Sequence, residues 1–114
     1  MNESIRFART DEVAEEYAEL LGLLPVGRNN AISKANLCAL LGMDEQDLKD
    51  WILTARIAGC FIISGQKGYW LPEDTADIRG YVIKRNIVIQ TAKKAIKAFE
   101  EELTRIGTGG GGAA

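Results

Sequence analysis

The chain has 114 residues and a net charge of −2, with 46% apolar and 26% charged residues. That suits one domain with one core, and the balance is too ordinary for disorder or for a strongly basic nucleic-acid binder. No apolar run nears the roughly 20 residues that span a bilayer, and a chain with no His lacks the residue most used for zinc sites and acid–base catalysis.

The opening "MNESIRFART" has no apolar secretory core, so cytoplasmic residence is expected. Cys38 and Cys60 lie in "NLCALL" and "AGCFII". Two thiols do not make a Cys-rich metal site, and both read as small buried hydrophobes. Charge is unevenly spread: residues 1–26 carry −4, residues 27–70 carry +1 and residues 71–114 carry +1.

Residues 1–9 read as an N-terminal extension. Thr10 then caps a helix, "DEVAEEYAELLGLL", whose early acids complement the helix dipole. Val13, Tyr17, Leu20, Leu21 and Leu24 give it one apolar face, and Pro25 and Gly27 end it. "VGRNN" is a loop, and "AIS" is short enough for a brief edge strand beside a later hairpin.

Ser33 caps a second helix with Leu37, Leu40 and Leu41 facing inward and Gly42 as its stop. Asp44 caps a third, with Leu48, Trp51, Ile52 and Ala55 buried and Gly59 closing it. So tight a Gly-containing join makes two helices cross steeply, as in a helix-turn-helix. "FIISGQKGYWL" follows as a β-hairpin with Gly65-Gln66-Lys67-Gly68 at its tip, and Pro72 stops the second strand.

From Asp74 to Ile106 the pattern is one long helix, with Gly80 as a point of potential break. Ile78, Val82, Ile89, Ala92, Ile96, Phe99, Leu103 and Ile106 recur in steps of three, four and seven, as in a coiled-coil seam. Ile83, Ile87 and Val88 widen the early part, which is expected to dock on the domain. Ile89, Ala92, Ile96, Phe99, Leu103 and Ile106 are expected to pair with a second copy. "GTGGGGAA" has nothing to bury and reads as a flexible tail.

The fold class is therefore mainly α with a small β-hairpin: a winged helix-turn-helix over residues 10–73, a long C-terminal helix over 74–106 and a tail over 107–114. No catalytic set, phosphate loop, metal site or cofactor motif stands out, and an enzyme is not expected.

The chemistry that fits this fold is contact with double-stranded DNA, a helix in the major groove and the wing on the backbone. Candidate contacts are Arg28, Asn29, Asn30 and Lys34 at the front, Gln46, Lys49 and Arg56 on the third helix, and Gln66 and Lys67 at the hairpin tip. Each has a plainer alternative. Asn29 and Asn30 suit a turn, Arg56 can pair along its own helix, and a hairpin-tip Lys aids solubility.

Against groove contact stand Asp44, Glu45, Asp47 and Asp50, which phosphates repel. With those acids, the third helix equally suits a protein partner such as a replication protein. Lys84, Arg85, Lys93, Lys94 and Lys97 form a stretch with no acid. They suit phosphate contact or a solvated face beside the seam.

The motifs "LLPVGRNNAISKANLCALLGM", "ARIAGCFIIS" and "GYWLP", with the long basic helix behind them, resemble a family of small winged-helix proteins of Firmicutes phages and prophages. The resemblance covers about residues 17–100. It implies a DNA-linked role in phage replication or regulation. Members often carry a base early in the third helix, where this chain has Gln46 among acids.

Overall fold

The computed structural model describes residues 5–108. The chain divides into two compact units, Met1–Arg79 and Gly80–Ala114. Of the expected tail, residues 109–114 lie outside the described residues. Five helices and one two-stranded antiparallel hairpin account for most of the structure, so the mainly α expectation with a hairpin and a long last helix holds.

In the first unit, Thr10 Oγ1 accepts from Val13 N at 3.1 Å and starts α1 (Asp11–Glu16). The single helix expected here breaks at Tyr17, whose backbone (φ −107°, ψ 25°) leaves helical geometry before α2 (Ala18–Leu23). Tyr17, Leu20 and Leu24 are all buried, so the bend accompanies a run of side chains drawn into one core. Burial outweighs helix propensity at that residue.

Residues 7–9, read as part of an extension, belong to the domain. Arg9 N donates to Gly59 O at 2.9 Å, Phe61 N donates to Phe7 O at 2.8 Å, and Ala8 is buried. Residues 28–30 form a short 3-10 turn where a plain loop was expected. The expected edge strand is reduced to one residue: Ile32 and Tyr69 exchange both backbone hydrogen bonds, at 3.0 and 2.9 Å.

Ser33 Oγ accepts from Asn36 N at 3.1 Å and caps α3 (Lys34–Leu41), which stops at Gly42 in the left-handed region (φ 67°). Leu37 is fully buried, but Leu40, expected inward, is 61% exposed. Leu37, Cys38 and Leu41 supply the packed arc. At 3.6 residues per turn Leu40 lies about 100° round from the middle of that arc. Cys60 is buried as expected, whereas Cys38 is only half-buried.

Asp44 Oδ1 accepts from Asp47 N at 2.8 Å and caps α4 (Glu45–Ala58). Leu48, Ile52 and Ala55 form its buried stripe, with Trp51 half-buried. The hairpin is shorter than the apolar run that encodes it: β1 is Ile63–Gly65 and β2 is Gly68–Trp70. Ile63 pairs with Trp70, Ser64 with Tyr69 and Gly65 with Gly68.

The last helix, α5 (Thr75–Thr108), is 34 residues long and unbroken at Gly80. Asp74 Oδ1 accepts from Asp77 N at 3.0 Å, and Asp77 Oδ2 accepts from Glu73 N at 2.8 Å, so its start is doubly capped. One glycine costs about 1 kcal/mol against Ala, too little to interrupt so long a helix. Ile83, Ile87 and Val88 are 54%, 60% and 55% exposed. Among the described residues no helix is long and apolar enough to cross a membrane.

Candidate functional site

The hairpin tip comes close to the start of α3, and one glycine is responsible. Gly68 has φ 122°, and a Cβ there would stand 1.9 Å from the Ile32 carbonyl oxygen. No other residue allows this approach. The turn residues Gln66 and Lys67 keep ordinary negative φ, so the unusual conformation falls on Gly68.

Between the tip and α3 lies a hollow of about 340 Å³, lined by Ser33, Lys34, Ser64, Gln66, Lys67 and Tyr69 with the flanking glycines. Two ammonium groups, three hydroxyls and an amide thus line it beside the N-terminus of a helix, whose dipole favours anions. Lys34 Nζ also lies 3.5 Å from Glu45 Oε1, an exposed pair that leaves the lysine able to turn to an anion.

Of the residues expected to meet DNA, the fold brings Lys34, Gln66 and Lys67 to this hollow. Arg28, Asn29 and Asn30 are exposed on the 3-10 turn, and Asn30 Nδ2 donates to Val26 O at 2.9 Å. Gln46 and Lys49 are exposed on α4, with Gln46 Nε2 donating to Asp50 Oδ1 at 2.9 Å.

Arg56 does not point outward. It is partly buried, with Nε donating to Ile62 O at 2.8 Å and Nη2 to Ser64 Oγ at 3.0 Å. It fastens the end of α4 to the start of the hairpin, a role sequence reasoning missed because both partners lie beyond its own helix.

Reading the chain alone also misses the outer face of α4. Leu53 is 56% and Ile57 76% exposed. They stand four residues apart, and Ile57 falls about 180° from Leu48 around the helix. The available signal was an apolar pair off the buried stripe. Glu45, Asp47 and Asp50 are exposed on the same helix.

In the second unit, Lys84, Arg85, Lys93, Lys94 and Lys97 are all exposed. Arg85 stacks its guanidinium over the Tyr81 ring at 5.4 Å and donates from Nε to Tyr81 Oη at 3.3 Å. Glu102 accepts from Arg105, which holds the Glu102 carboxyl below the usual carboxylate range. Among the described residues no group of three or more Cys, Asp or Glu side chains is placed to hold a metal ion.

No known family model, no curated protein and no solved structure matches this chain. The chain is a small, mostly helical fold with a β-hairpin.

Proposed function

We propose that the chain is a winged-helix protein that binds duplex DNA, with the hairpin as its wing. The observation that carries this is the hollow between wing and α3, where Gly68 brings Lys34 and Lys67 to one helix N-terminus. A backbone phosphate suits that setting in charge and in hydrogen-bonding capacity. The order of helix, one-residue strand, helix, turn, helix and hairpin supports the winged-helix reading. Lys49, at the side of α4, is the base nearest to a groove-facing role. A regulatory or replicative task in a phage or prophage is what the motif resemblance adds.

The test is a salt series on random duplex DNA. Affinity should fall steeply with salt, and Lys34→Ala with Lys67→Ala should flatten the log–log slope by about 2. No retention at low salt, or an unchanged slope, overturns the reading.

A second reading has its own observation. Leu53 and Ile57 are exposed on the helix that carries Glu45, Asp47 and Asp50. An apolar pair beside Asp50, with Glu45 and Asp47 further up the helix, suits a basic, partly apolar protein surface better than a phosphate backbone. On that reading α4 is the docking helix of a replication adaptor.

A further inference from the structure

Within α5 the apolar residues keep a seven-residue beat. Val82, Ile89, Ile96 and Leu103 occupy one heptad position, and Arg85, Ala92, Phe99 and Ile106 the position three further on. From Ile87 to the end of the helix every seam position is apolar, and the large ones lie open: Ile89 is 47% exposed, Ile96 54%, Phe99 73%, Leu103 68% and Ile106 49%. An isolated helix does not hold such a stripe in water; it needs a second surface.

We propose that this stripe pairs with that of a second copy in an antiparallel coiled coil, in one register. Ile89 then meets the partner's Ile106, Ala92 the partner's Leu103 and Ile96 the partner's Phe99. The same three layers repeat on the other side of the twofold axis. The overlap covers residues 87–108, about 33 Å of helix.

Charge selects the second copy and its direction. The basic stretch from Lys84 to Lys97 is followed at once by Glu100, Glu101 and Glu102. A parallel, in-register pair sets Val88 beside Lys93, Ala95 beside Glu100 and Glu102 beside Gly107, and makes no ion pair at its flanks. An antiparallel pair sets the bases of one chain beside the acids of the other.

The flanking positions choose the register. In antiparallel coiled coils the residue after each second seam position faces its own equivalent in the partner. Here those residues are Lys93 and Glu100, and the proposed register brings Lys93 to the partner's Glu100 twice. Sliding one heptad one way opposes Lys93 to Lys93 and buries Arg85 against Leu103. Sliding the other way opposes Glu100 to Glu100.

Side-chain volume agrees. A parallel pair would stack Ala92 on Ala92 and Phe99 on Phe99, leaving one thin and one crowded layer. The antiparallel register sets the small Ala92 against Leu103 and Phe99 against Ile96, which evens the layers. Along the shared axis the two Gly80 residues come to stand about 50 Å apart, from 1.5 Å per residue.

The experiment is sedimentation of the full chain with swapped charges at exposed positions, where folding is not at stake. The parent should show a concentration-dependent dimer. Lys93→Glu and Glu100→Lys should each weaken it about tenfold, since two opposed pairs change from attraction to repulsion. An equimolar mixture of the two variants should recover the parent's affinity, because only the mixed dimer restores both pairs.

A parent that stays monomeric overturns the proposal and leaves the stripe to a different protein. Variants that dimerise like the parent, or a mixture that fails to recover, overturn the register. Cross-linking gives an independent readout. Ile89→Cys with Ile106→Cys on one chain should form disulfide dimers, against the parent with Cys38 and Cys60 as the blank. Ready dimer formation by Ile89→Cys alone would mean a parallel pair.

Discussion

Arg56 Nη2 donates to Ser64 Oγ at 3.0 Å while its Nε donates to the Ile62 carbonyl at 2.8 Å. One guanidinium thus ties the last turn of α4 to the strand that leads to the hairpin tip. The relation bears on the proposed DNA contact because the tip carries Gln66 and Lys67, whose position depends on how firmly β1 is held.

Replacing that guanidinium is the first test. Arg56→Ala leaves the Ile62 carbonyl and the Ser64 hydroxyl without their donor in a partly buried setting. The expected loss is about 1–3 kcal/mol of unfolding free energy in a urea titration, without a change in m-value. Arg56→Lys should recover only part of it, since a single ammonium does not reproduce the two-pronged geometry. A loss below about 0.5 kcal/mol for Arg56→Ala would mean that the strand is held by other means.

Gly68→Ala tests the approach of the hairpin to α3. The added methyl would stand 1.9 Å from the Ile32 carbonyl oxygen and 2.9 Å from Ser33 Cα, both backbone, at a φ of 122°. Nothing there is a flexible side-chain end, so the hairpin must lift or the domain must unfold. A destabilisation of about 3 kcal/mol or more is expected in thermal or urea unfolding. Gly22→Ala is the control: its methyl meets nothing within 4 Å, and its φ is not left-handed. Equal stability of Gly68→Ala and Gly22→Ala would refute the close approach.

Local signals carried most of the fold. The caps at Thr10, Ser33 and Asp44 and the stops at Gly42 and Gly59 depend on a few neighbouring residues, and all are found in place. The bend at Tyr17, the exposure of Leu40 and the inward course of Arg56 were not legible. Each is decided by where distant segments pack, and helical periodicity carries no such information. The candidate site divides in the same way. Turn chemistry placed Lys67 at a tip, but only the contact between Gly68 and Ile32, 36 residues apart in sequence, brings it to Lys34. Leu53 and Ile57 stayed hidden because an apolar pair on a helix reads as core until its neighbours are known.

Burial raises the Cys60 thiol above the ordinary range, with Glu16 adding to it. Burial likewise raises the Tyr17 phenol, with Glu16 and the Cys60 sulfur adding to it. In both cases the folded state holds its proton longer than the unfolded chain does. Stability from these groups is therefore complete below the unfolded values, about 8.5 for Cys and about 10 for Tyr. It drains away as pH rises through the higher folded values. The protein should lose stability above about pH 8.5, and Cys60→Ala should move the start of that loss toward the tyrosine range. Modification by a thiol reagent at neutral pH should proceed at Cys38 first, with Cys60 reacting only at the rate of opening. Equal rates at the two thiols would contradict the burial of Cys60.

The outer face of α4 separates the two functional readings through one substitution. Ile57 is 76% exposed and opposite the buried stripe, so Ile57→Lys should change stability by less than about 0.5 kcal/mol. If α4 lies against a duplex, the new ammonium reaches phosphate, raises DNA affinity and steepens the salt slope by about 1. If α4 docks on a protein, DNA retention is unchanged, and binding to the adaptor's partner falls by tenfold or more as a charge enters an apolar centre. A gain in duplex affinity favours DNA because Leu53 and Ile57 would then be rim residues beside the groove. An unchanged salt slope assigns them to the centre of a protein interface, and the phosphate contact proposed for the hollow between Lys34 and Lys67 must then be made without α4.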